Sequence, residues 1–96
     1  EPTGAPAGWH GDVVATAKRD LQAGQLLDGE GGYTVYGRLM PARDSVDEGY
    51  LPLGLSHQVK LKHAVRQSQA IRWSDVEYDD RSAAVQFRRA MEQTFA

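Results

Sequence analysis

The sequence predicts a small, mostly β domain in which short strands form a pseudo-twofold repeat, short 3-10 or α turns link them, and one α-helix closes the C-terminus. Three observations predict it. The apolar runs are short and divided by turn residues, one stretch recurs further along the chain, and helical periodicity is sustained only at the end. At 96 residues the chain can bury only about two-thirds of its unfolded surface, so one core and one domain are expected.

Residues 1–11 are rich in Gly, Pro and Ala and carry no periodicity, as a linker or a cut edge would. The chain begins with Glu1, and a piece of a longer protein is expected. Residues 12–78 are expected to form the β domain, with strands at 13–17 (VVATA), 25–27 (QLL), 33–39 (YTVYGRL), 59–62 (VKLK) and 70–73 (AIRW). None is long enough for a helix, and most are flanked by Gly, Pro, Asp or Ser. Residues 41–48 open with Pro41 and close before Gly49, which predicts a turn or two of helix. Residues 79–96 are expected to form the terminal helix. There Ala84, Phe87, Met91 and Phe95 recur at spacings of three, four and four, with Arg88, Arg89 and Glu92 on other faces. Asp79, Asp80 and Ser82 are its candidate N-caps.

The repeat organises the β domain. Residues 18–28 (KRDLQAGQLLD) align without a gap to residues 62–72 (KHAVRQSQAIR), pairing Lys18 with Lys62, Leu21 with Val65, Gly24 with Ser68, Gln25 with Gln69 and Leu27 with Ile71. Each copy follows a strand-like run, so one unit of strand, tight turn and strand is used twice. Gly24 is expected at a positive-φ turn position; Ser68 must do the same at some strain, or the second turn differs.

A net charge of −2 implies no general attraction to nucleic acid or to an anionic membrane. Residues 57–73 carry Lys60, Lys62, Arg66 and Arg72 without an acid, and residues 74–80 carry Asp75, Glu77, Asp79 and Asp80 without a base. Neutralisation of one block by the other is the simple expectation. The absence of cysteine disfavours a disulfide-stapled secreted scaffold, no apolar run approaches the roughly 20 residues of a membrane span, and no signal-peptide pattern is present. A cytoplasmic location is expected.

The string AKRDLQAGQLL (residues 17–27), followed by LPLGL (51–55), VKLK (59–62) and a degenerate second copy ending in SDV (74–76), resembles the SAF (antifreeze-like, β-clip) domain. That domain is shared by sialic acid synthases, type III fish antifreeze proteins, pilus and flagellar P-ring assembly proteins and sugar-acid dehydratases. The sequence departs from the usual pattern at Ser68, where the second copy normally has glycine. A narrower resemblance rests on GEGGYTVYG (29–37), LPLGLSH (51–57) and the trailing helix, which are similar to the C-terminal region of bacterial homoserine-dehydrogenase-like oxidoreductases. The resemblance implies a β-clip fold, a parent enzyme with an N-terminal NAD(P)-binding Rossmann-type domain, and NAD(P) as the parent's cofactor. It implies no catalysis in this chain, and no cofactor is expected within it, because GEGG lacks the G-x-G-x-x-G spacing and the βαβ setting of a dinucleotide site.

The residues themselves offer no catalytic set. His10, His57 and His63 have no helical i, i+4 pairing and no carboxylate at ligand spacing, so no metal site is expected. Ser45, Ser56, Ser68, Ser74 and Ser82 sit in turn or cap contexts, and the acid pairs Asp47–Glu48 and Asp79–Asp80 read as solvated surface. Lys60 and Lys62 share one face of an alternating strand while Val59 and Leu61 turn to the core, and Lys18 and Arg19 occupy the corresponding place in the first copy. These four cations, with Tyr36, are the candidate ligand or partner contacts. They could gather for a sugar phosphate or an acidic surface, or simply guard a strand edge. Tyr33 and Tyr36 are three apart, so one is expected in the core and one at the surface. Trp73 is expected in the core, and Trp9 packs on the domain it tethers or on a partner, or else lies in a disordered linker.

The function these readings favour is a non-catalytic accessory domain of an NAD(P)-dependent oxidoreductase, aiding oligomerisation or closure of the substrate site. Its partners would be the parent's Rossmann-type domain and a second copy of the chain, with no nucleic acid and no membrane. The alternatives are a stand-alone carbohydrate or sugar-acid binder, an ice binder, which the dense charge of residues 57–80 disfavours, and a pilus or flagellar assembly domain.

Overall fold

A computed structural model describes residues 9–95, so most of the expected linker lies outside the described residues. Strand β1 (Gly11–Ala17) runs antiparallel to β3 (Val35–Pro41) in unbroken register, from Gly11 opposite Pro41 to Ala17 opposite Val35. Strands β2 (Leu26–Asp28), β4 (His57–Leu61) and β5 (Val76–Glu77) form a second antiparallel sheet with β4 in the centre. Helix α1 (Ala42–Glu48) follows β3 directly, with Pro41 as its N-cap at φ −59°. Gly49 ends it in the left-handed region at φ 72°, where its N–H and that of Tyr50 satisfy the carbonyls of Val46 and Ser45. Short 3-10 turns follow at Leu53–Leu55 and Trp73–Asp75, and α2 (Ala83–Phe95) ends the chain. Ser82 caps α2, its Oγ accepting the N–H of Val85 at 3.1 Å.

The repeat is realised bond for bond. Leu21 and Val65 exchange both backbone hydrogen bonds, at 2.7 and 3.0 Å. Gly24 N–H donates to the Leu61 carbonyl and Ser68 N–H to that of Ala17, both at 2.8 Å, while Leu61 N–H donates to Gln25 and Ala17 N–H to Gln69. Within each turn the glutamine side chain repeats its role: Gln25 Oε1 accepts the N–H of Gln22 and Gln69 Oε1 that of Arg66. Each bond has its counterpart one repeat away with the copies exchanged, which is twofold rather than translational pairing. The two units therefore clasp one another instead of folding as separate hairpins. Gly24 and Ser68 both have positive φ, 86° and 70°, so the serine copies the glycine's backbone under strain.

The expected strand at 70–73 is shared between neighbours instead of forming a ladder. Ala70 bridges to Thr16 and Arg72 to Tyr50, and Trp73 then enters its 3-10 turn. Between those bridges three buried residues close a ring of backbone hydrogen bonds: Ala15 N–H to Leu51 O at 2.9 Å, Leu51 N–H to Ile71 O at 2.7 Å, and Ile71 N–H to Ala15 O at 2.9 Å. One apolar cluster surrounds this ring, including Leu21, Leu27, Val35, Leu61, Val65 and Val76. Each such side chain contributes on the order of 1.5–3 kcal/mol by leaving water. Trp73 belongs to the same cluster, as expected. Tyr33 and Tyr36 correct the expectation of one core tyrosine: both reach the surface, at 77% and 36% exposed. Tyr33 lies in the loop before β3 and Tyr36 within that strand, and Val35 takes the core position between them.

Candidate contact surface

Helix α2 reaches the domain through charge. An apolar stripe ordinarily faces the core. Here the buried residues of α2 are Val85, Arg88 and Glu92, whereas Phe87 is 73% and Phe95 47% exposed. Asp12 is buried at the start of β1, and Arg88 meets its carboxylate with two bonds while donating Nε to Glu92 Oε2 at 3.0 Å. Burial opposes the charge on Arg88, but the bonds to Asp12 and Glu92 outweigh it and hold its pKa above the ordinary value. Glu92 also accepts from Arg89, whose guanidinium lies 3.9 Å from the centre of the Trp73 ring. Trp9 packs on the domain, its ring 4.5 Å from the Arg88 guanidinium. Arg88 and Glu92 stand at the i, i+4 spacing of a helical ion pair. That spacing was legible in the sequence; that the pair faces inward was not, because Asp12 lies at the other end of the chain.

The GEGG loop is wound around Asp28. Gly29 and Gly31 adopt positive φ, 74° and 83°, and return the chain so that the Asp28 carboxylate accepts the N–H of Tyr33 at 2.7 Å and of Thr34 at 3.0 Å. The Thr34 hydroxyl bonds the same carboxylate. That hydroxyl first, and then the Tyr33 N–H, lower the Asp28 pKa to about 2. The loop joins two strands, and the amides of Tyr33 and Thr34 at its end are committed to an internal carboxylate. What it presents outward is Tyr33.

Of the candidate contacts, Lys18 donates its ammonium to the Gly32 carbonyl at 2.6 Å, which ties the end of β1 to this loop. Arg19 follows it, exposed. Lys60 is exposed opposite Leu26 and Glu77 in the central strand β4, so it does not guard a sheet edge. Lys62 is exposed just beyond β4, with Leu61 buried and Val59 half-buried as expected. Tyr36 lies opposite Thr16 on β3. Of the four cations only Lys60 lies within a strand; Lys18 and Arg19 follow the end of β1 and Lys62 the end of β4.

The basic and acidic blocks meet along β4 and β5, where Lys60 lies opposite Glu77, and at one side-chain pair beyond them. His63 Nε2 contacts Asp75 Oδ1 at 2.6 Å, while Asp75 Oδ2 accepts the N–H of Arg72 and organises the second 3-10 turn. Sequence spacing gave no sign of the His63 pair, since it depends on the return of the chain after the second repeat. Arg72 instead pairs with Glu48 at 2.7 Å, outside the expected acidic block. Among the described residues no group of three His, Cys, Asp or Glu could hold a metal ion, and no helix is long and apolar enough to cross a membrane. A scan against protein-family models finds no match, and a search of curated proteins finds no relative of the chain.

Proposed function

We propose that this chain is a non-catalytic accessory module of the SAF, β-clip type, belonging to a homoserine-dehydrogenase-like NAD(P)-dependent oxidoreductase of the cytoplasm. It docks through α2 and the loop at residues 29–37 against the parent's Rossmann-type domain or a second copy, assembling the oligomer or closing the substrate site. The observation that carries the reading is the outward apolar stripe of α2, with Phe87 73% and Phe95 47% exposed. Exposed aromatics on one face of a helix held from its other side are what an interaction surface requires. Tyr33 and Tyr36 extend the aromatic character to the second contact element. The clasped repeat supports the β-clip assignment, since it turns the sequence motif behind the resemblance into one structural unit used twice. NAD(P) belongs to the parent's other domain.

The test is Phe87→Ser with Phe95→Ser in the parent protein, read by native mass and steady-state kinetics. A lowered oligomeric mass or a raised KM, with the fold retained by circular dichroism, supports docking through this face. Unchanged mass and kinetics overturn it.

A further inference from the structure

A cleft of about 410 Å³ opens between the 3-10 turn at Leu53–Leu55, strands β4 and β5, and the segment entering α2. Its volume lies within the range of roughly 300–1,000 Å³ usual for small-molecule sites. Leu55, Val59 and Val85 supply an apolar floor, and Gln58, Glu77, Asp79 and Ser82 a polar rim. Two further features set the cleft apart from an ordinary surface dent. Between the pairs Leu26–Lys60 and Asp28–His57, β4 carries one residue more than β2, and Gln58 at this bulge has φ 61°. Bulges re-aim side chains and cluster beside functional sites, and a non-glycine residue in this region is strained. Trp73, also in the lining, buries its Nε1–H without a hydrogen-bond partner, although it is only 4% exposed.

The rim selects the ligand's chemistry. Neither Glu77 nor Asp79 has an ion-pair partner among the described residues, and the cleft is lined by no Lys or Arg and by one histidine, His57. An anionic sugar acid or phosphate would meet two carboxylates against a single imidazole. A hydroxyl group, by contrast, donates to a carboxylate and accepts from the Gln58 amide. We propose that this cleft binds a neutral sugar, its C–H face on Leu55, Val59 and Val85 and its hydroxyls held by Gln58, Glu77, Asp79 and Ser82. The docking face on α2 plays no part in this site.

The test is titration of the isotope-labelled chain with a panel of neutral methyl pyranosides, and with glucuronate and a hexose phosphate as anionic controls, followed by nuclear magnetic resonance. Neutral pyranosides are expected to shift the amides of Gln58, Glu77, Asp79 and Ser82 and the indole N–H of Trp73 saturably, with Kd on the order of millimolar. The anions should bind at least about tenfold more weakly. Glu77→Gln with Asp79→Asn, at two exposed positions, should narrow that difference. If no neutral pyranoside moves these resonances, or if the anions bind as tightly, the proposal is wrong.

Discussion

The Arg88 guanidinium closes on the Asp12 carboxylate through two parallel bonds, Nη1 to Oδ1 at 2.9 Å and Nη2 to Oδ2 at 2.6 Å, across 76 residues of chain. Both partners are buried, at 8% and 5% exposed. Arg88→Ala leaves Asp12 and Glu92 buried without a counter-charge and is expected to cost about 3–5 kcal/mol. Replacing Asp12, Arg88 and Glu92 together by leucine, methionine and leucine should recover much of that loss. Urea unfolding followed by tryptophan fluorescence measures both.

Asp28 sets the acid limit of the GEGG loop. Its folded pKa of about 2 lies below the unfolded value near 3.9, so its contribution is complete above about pH 4 and is lost as pH falls through about 2. Asp28→Ala is expected to cost about 2 kcal/mol at neutral pH through the lost charge-assisted bonds. Its deficit against the wild type should shrink as the urea midpoint is followed down towards about pH 2.

At the positive-φ position of the paired turns, Gly24 and Ser68 share one backbone conformation. Ser68→Gly keeps the N–H bond to Ala17 and removes the positive-φ strain, a gain of up to about 1 kcal/mol after the entropy of glycine. Gly24→Ala, with nothing within 4 Å to obstruct the new methyl, should lose about 1 kcal/mol from φ alone. Thermal unfolding of the two variants is expected to move in opposite directions.

On α2 the usual ranking of aromatic over aliphatic truncation should reverse. Val85 is buried, and Val85→Ala is expected to cost about 2 kcal/mol. Phe87 is mostly in water, and Phe87→Ala should change stability by no more than about 0.5 kcal/mol. Calorimetry of the two single variants decides this.

Local signals carried most of the fold. Short apolar runs located β1 to β4, Pro41 and Gly49 bracketed α1, and the aligned stretches at 18–28 and 62–72 announced the clasp that the backbone makes. The failures share one physical cause, which is partner choice at long range. Residues 70–73 carry a strand's pattern but divide their bonds between β1 and the segment after α1. The stripe from Ala84 to Phe95 has helical period, yet period does not say which face is buried once Asp12 offers a buried charge to Arg88. The candidate cations were legible as exposed positions, but the bond from Lys18 to the Gly32 carbonyl was not. Neither the cleft nor the orphaned Trp73 N–H left any trace in local pattern, because their walls come from segments far apart in sequence.

The ring closed by Ala15, Leu51 and Ile71 bears on how the chain reaches this state. Its three members stand far apart along the chain, so no single bond of the ring is secured by a neighbouring turn, and loop-closure entropy precedes any reward from the contact. Folding should accordingly be slow for so short a chain and free of stable half-folded species, because neither repeat has a complete set of partners without the other. A chain cut near Gly49 would yield two fragments, each unstructured alone and ordered only on mixing, with a refolding rate that rises with fragment concentration.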